Sequence, residues 1–294
     1  MKHPDRFDFV RRPIVAYETI IKDAKRIEER LAQSGVSSTL NSRVSQYRKI
    51  IESLLDIATG RSRQAHMDWR LLHQAIFEVG QIETIVEEFL KPPISPEWRS
   101  RVLQLISGQT LPQTEKEQSK ARDIQFELFV AARCRASGYS VEPKEPDILV
   151  RDEFGDFGIA AKRPKSPKTL EHHVRKGSHQ IDGSGMPGIL AIDLSLIHNP
   201  KNKILLFDKQ GDDIKVVQQI ADHFIQLNNR RIRSMVNQPN VFGLVVCMAS
   251  LSFVPNTLQF ASATRWTIAN LCEMSDPHYE QLRKFASRFA VGIS

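Results

Sequence analysis

The chain has 294 residues, 41% hydrophobic and 26% charged, with a formal net charge of +7 and a pI of about 9.4. That length holds one large domain or two smaller ones with ample core, and the positive balance favours polyanionic partners. No apolar run of about 18 residues is present to form a membrane-spanning helix.

Met1-Lys2-His3-Pro4-Asp5-Arg6 lacks the apolar stretch of a secretory signal. Cys134, Cys247 and Cys272 lie far apart without CxxC spacing, which argues for reduced thiols in a cytoplasmic protein and against a zinc site. Pro13 can open a first helix, because Ile14, Tyr17, Ile20, Ile21, Ala24, Ile27 and Leu31 recur at three and four. A second helix runs from about Thr39 to Gly60. A third carries Leu71 to Phe89 and breaks at Pro92-Pro93. Ser95-Pro96 starts a short fourth, with Ser95 as cap.

The segment to residue 111 therefore reads as an all-helical module, and Ser107 to Pro112 as a linker into an α/β domain over 112–294. The module shows no recognisable chemistry. Its apolar stripes read as core and its basic residues as a solvated face, and it is the candidate surface for a homodimer or protein partner. A long helix from Thr114 to Ser137 follows, with Asp123 and Glu127 one turn apart on the same side. Next are an edge strand near Tyr139 to Val141, a hairpin, a basic helix from Ser166 to Ile181 and an apolar strand from Gly188. A short strand near Ile204, a helix over Asp212 to Val236, two strands over 241–250 and 258–269, and a helix from Pro277 complete the chain.

The hairpin carries the chemistry. Glu145-Pro146-Asp147-Ile148-Leu149-Val150 leads to a turn at Phe154-Gly155 and returns as Ile159-Ala160-Ala161-Lys162-Arg163-Pro164. A two-residue loop closed by Glu153 and Asp156 places Asp147 opposite Lys162, where a carboxylate and an ammonium meet. Position 160 shares the face of Lys162, and it is an alanine. Taken alone, Asp147 and Lys162 could be a simple cross-strand ion pair.

The order of elements resembles the PD-(D/E)XK, or restriction-endonuclease-like, nucleases. Pro146-Asp147 and Lys162 match the motif's outer positions, and Ala160 replaces its middle acid. Gln125 to Ala132 is similar to the family's first core helix, and His179-Gln180 falls on the helix where many members carry a site-facing Gln. The resemblance covers roughly Thr114 to Ile197. It implies a mixed β-sheet flanked by helices and hydrolysis of a DNA phosphodiester assisted by Mg²⁺ or Mn²⁺. The ligands it implies are Asp147, the Ala161 backbone carbonyl and Glu127. Lys162 would orient or help deprotonate the attacking water, and Gln180 would contact a phosphate or that water. A basic surface of Arg163, Lys165, Lys168, Arg175 and Lys176 would meet the nucleic acid.

Alanine at 160 cannot bind a cation, so the metal would be weakly held. Glu127 or Asp123 could approach in compensation, whereas Asp156 lies too far along the strand. Two explanations stand: an acid changed to leave an otherwise intact nuclease inactive, or a natural nuclease-fold protein that binds nucleic acid, or scaffolds a complex, without cutting.

Overall fold

The computed structural model describes residues 6–11, 14–36, 42–58, 68–108, 110, 120–206, 219, 223, 226–228, 230–236, 238–254, 259–273 and 275–291. The elements are β1 Arg6–Arg11, β2 Ile14–Ala16, α1 Tyr17–Gln33, α2 Arg43–Ala58, α3 Trp69–Phe89, α4 Pro96–Ile106, α5 Lys120–Ala136, β3 Ser140–Glu142, β4 Ile148–Arg151, β5 Phe157–Lys162, α6 Pro167–Gly183, β6 Gly188–Asp193, α7 Ser195–His198, β7 Leu205–Leu206, β8 Val241–Val254, β9 Gln259–Asn270 and α8 Pro277–Val291. Residues 230–235 are also helical.

The strands form one mixed sheet in the order β1-β9-β8-β6-β5-β4-β3, with β2 paired to β9 and β7 to β8. β5, β6 and β8 run parallel, and β3, β4 and β5 form an antiparallel meander at one end. β5 is buried along its whole length, as a strand covered by helices on both faces must be.

The sheet divides two apolar layers. On one face α5 lies against β3, β4 and β5, α3 and α4 pack on α5, and α1 and α2 pack on α3. One buried cluster runs from Ile27 and Tyr47 through Val79 and Phe126 to Phe157, Trp266 and Phe289. On the other face a smaller cluster joins Ala160, Leu170, Val174, Leu190, Ile192, Ile232 and Leu244.

Three sequence expectations change. The segment to residue 111 is not all helical, because β1 and β2 pair antiparallel with β9 and extend the sheet. Ile14, Val15 and Ala16 satisfy their backbone by joining an open sheet edge, and the helix expected from Pro13 begins at Tyr17. Second, the core crosses the expected boundary at 111 without a break. It includes a buried ionic cluster. Glu78 of α3 lies 2.9 Å from Arg122 Nε of α5 and 3.4 Å from Arg43 Nε of α2, and accepts a 2.6 Å hydrogen bond from Tyr47. The expected linker and the start of the helix expected from Thr114 fall largely on residues 109 and 111–119, outside the described residues, as does much of the helix expected over Asp212 to Val236.

Third, the hairpin register differs. Ile148 pairs with Ile159, Leu149 with Gly158 and Val150 with Phe157, so the loop between the strands spans 152–156 rather than two residues. Arg151 pairs with Glu142 and Asp156 where the strands diverge, and Gly155 takes φ +115° in the turn. Continued by one residue, this register sets Asp147 across from Ala160, not Lys162. The slip is by two positions, so Asp147 and Lys162 keep the same face.

Candidate active site

The site lies where β5 ends beside the residue that precedes β4. Asp147 Oδ2 accepts a 2.8 Å hydrogen bond from the Ala161 amide and stands 2.5 Å from Lys162 Nζ. Both side chains are nearly covered, at 12% and 9% exposure. The long lysine spans the diagonal left by the register, so the ion pair forms although the residues are not directly opposed. In a strand a residue's carbonyl points to the same side as its N–H, so the Ala161 carbonyl also faces Asp147. The Ala160 methyl is fully buried in the α6-side apolar cluster.

Lys162 reaches its place because of a gap in α6. A Cβ on Gly177 would lie 3.3 Å from Lys162 Cγ and 2.4 Å from Leu190 Cδ1. Gly177 thus lets the lysine stem pass between helix and strand. Sequence reasoning missed it, although a glycine inside a helix, at a cost of about 1 kcal/mol against alanine, is a readable signal.

α5 brings the second carboxylate. Burial, and then the charge of Asp147, push the Glu127 pKa up to about 7, against Arg101 and Lys162, which pull it down. Glu127 Oε2 is 2.8 Å from Arg101 Nη1, so α4 reaches into the site. Nothing in the sequence marked Arg101, because its partner lies on another helix. Asp123, one turn before Glu127, is also raised by burial, and Arg163, Lys165, Lys162 and Lys176 oppose that rise.

Other expected residues are distributed differently. Gln180 Nε2 donates to the Pro146 carbonyl at 3.3 Å, so it braces the turn before Asp147, while its Oε1 is buried without a hydrogen bond among the described residues. Arg163 is not part of an exposed basic surface: it is 2% exposed, 2.8 Å from the buried Asp193 carboxylate and 5.7 Å from the Phe77 ring centroid. The distance makes this an ion pair, yet among the described residues no guanidinium N–H is directed for a hydrogen bond. Alternation explains the correction, since the residue after Lys162 points to the opposite, helix-covered face. Lys168, Arg175 and Lys176 are exposed on α6, where Arg175 pairs with Glu171 at 3.0 Å, and Lys165 is half-buried.

Asp147 and Glu127 are oxygen donors of the hard type that Mg²⁺ and Mn²⁺ prefer. Asp147 Oδ1 has no hydrogen bond among the described residues. Among those residues no group of three or more His, Cys, Asp or Glu side chains converges to hold a metal. Asp147, Glu127 and the Ala161 carbonyl are the oxygens here that could serve such a cation. Compared with known proteins, the chain matches no family model, no curated protein and no solved structure.

Proposed function

We propose that the chain is a metal-dependent nuclease that hydrolyses DNA phosphodiester bonds, with its activity impaired by alanine at position 160. The observation that carries this is the meeting of Asp147, Lys162 and the Ala161 backbone at one strand end, with Glu127 approaching from α5. This supports the resemblance to the restriction-endonuclease-like nucleases, since the motif residues share one site despite the altered register.

A bound Mg²⁺ or Mn²⁺ would supply charge neutralisation and activation of water. It would be held by Asp147, Glu127 and the Ala161 carbonyl. Lys162 places its ammonium beside Asp147, where it offsets charge developing on the scissile phosphate and orients the attacking water. Gln180 acts through the Pro146 carbonyl and keeps the Asp147 turn in register, so it is a positioning residue. Lys165, Lys168, Arg175 and Lys176 present charge to backbone phosphates and supply affinity without reading sequence.

A second reading, a nuclease fold that binds nucleic acid without cutting it, is favoured by one observation. The Ala160 methyl is wholly enclosed with Leu170, Val174 and Leu190 in one apolar cluster, as native packing would leave it. The two separate by experiment. Nicking of supercoiled plasmid in Mn²⁺ by the chain, lost in Asp147→Asn while DNA binding persists, supports the nuclease. DNA binding without metal-dependent nicking, by the chain and by a folded Ala160→Glu variant alike, supports the binder.

A further inference from the structure

The charges around the site are balanced in an unusual way. Each of the two carboxylates already has its own basic partner, from a different layer of the fold. Asp147 has Lys162 from the end of β5, and Glu127 has Arg101 from α4. With a base against each of them, neither carboxylate is left free to attract a divalent cation. For a cation to take either carboxylate as a ligand, that carboxylate's base must give way.

The two bases are not equally free to move. Lys162 is 9% exposed, and its stem passes so close to Gly177 that a Cβ there would lie 3.3 Å from its Cγ. Arg101 is 27% exposed and reaches Glu127 from the outside. The backbone that carries it is fixed: α4 buries Trp98, Val102, Leu105 and Ile106, and Trp98 stacks on Phe89 of α3 with centroids 4.1 Å apart. Only the Arg101 side chain needs to change rotamer for the guanidinium to leave the carboxylate for solvent.

We propose that Arg101 is an internal counter-cation that occupies the Glu127 carboxylate in the metal-free protein and is displaced when a divalent cation binds. The helical layer thereby sets how tightly the site holds its metal. This rests on the nuclease reading and adds to it a residue from outside the segment that resembles the nuclease family. Arg101 touches neither substrate nor cation in this scheme. It works by competing for Glu127.

The test is Mn²⁺ titration of the full chain, followed by the electron paramagnetic resonance signal of free Mn²⁺. Arg101→Gln, Arg101→Lys, Glu127→Gln, Asp147→Asn and the Arg101→Gln/Glu127→Gln double variant are compared, each with its thermal melting recorded. The expected result is that Arg101→Gln binds Mn²⁺ tenfold or more tightly and Arg101→Lys binds as the parent does. In the Glu127→Gln background the Arg101 substitution then changes nothing. Unchanged or weaker Mn²⁺ binding by a folded Arg101→Gln overturns the proposal, as does the same tightening without Glu127. If binding depends on Asp147 but not on Arg101, the proposal fails and the nuclease reading stands. If Asp147→Asn alters binding in no background, both fail.

Discussion

Replacing Glu78 by glutamine tests whether the buried ionic cluster joins α2, α3 and α5. The change keeps the side chain's shape and removes its charge. Glu78 is fully buried, and so are its partners Arg43 and Arg122. The substitution leaves two buried guanidiniums short of one counter-charge, and breaking such a cluster costs about 3–5 kcal/mol. A second route gives a similar size. Burial alone would push the Glu78 pKa up, but Arg122, Arg43 and Arg163 outweigh it and hold the carboxyl at about 2, from an ordinary 4.5. At about 1.4 kcal/mol per pH unit this corresponds to about 3 kcal/mol of stability. Because the folded pKa is lowered, that stability is present above pH 4.5 and is lost as pH falls through about 2. Urea unfolding followed by circular dichroism should show a loss of about 3 kcal/mol for Glu78→Gln at pH 7. The gap between variant and parent should narrow steadily below pH 4.5. A loss under about 1 kcal/mol at pH 7, or a gap indifferent to pH, would refute this account of the cluster.

Burial lowers the pKa of His73 from 6.5 to about 4, so the unfolded chain takes up a proton that the folded chain refuses. Stability should fall by about 3 kcal/mol as pH drops from 6.5 to 4, and His73→Phe should flatten that slope in the same urea experiment. Gly177→Ala gains about 1 kcal/mol of helix propensity but overpacks Leu190 and the Lys162 stem at about 1–3 kcal/mol. Its melting temperature should move little. Nicking in a competent background should fall tenfold or more, because Lys162 is displaced, and unchanged nicking would contradict the assigned role of the glycine. Replacing Lys168, Arg175 and Lys176 together by alanine should reduce the slope of log affinity for DNA against log salt by about 2–3, if each contacts one phosphate. An unchanged slope in fluorescence anisotropy titrations would place the DNA elsewhere.

The elements of the site were legible because they are encoded locally. Apolar periodicity located α2 to α4, and Gly188 to Asp193 announced a buried strand. Asp147 and Lys162 were found together because a register slip of two keeps a residue on its face, so the ion pair tolerated an error in loop length. What escaped depends on distant parts of the chain. Ile14 to Ala16 continue the helical pattern of α1, and only the open edge of β9 draws them into a sheet. Arg163 looks like any residue of a basic run until its face of β5 is known to be covered and Asp193 is found beside it. Arg101 and Glu127 are 26 positions apart, and their contact follows from how α4 crosses α5. The helical module looked separable because residues 1–111 carry their own apolar stripes. Glu78, Arg122 and Gln125 show that α3 and α5 share one buried polar network, in which Gln125 Nε2 donates to Gln81 Oε1 at 2.7 Å.

The most direct test of the account restores the missing acid. Supercoiled plasmid is incubated with Mg²⁺ or Mn²⁺ and the chain as it stands, Ala160→Glu, or Ala160→Glu combined with Lys162→Ala, with thermal melting used to establish that each is folded. Weak or no nicking is expected from the chain as it stands, with strong metal-dependent nicking by Ala160→Glu and loss of that nicking when Lys162 is also removed. Nicking by none of the folded proteins, or nicking by Ala160→Glu that survives loss of Lys162, would contradict that expectation.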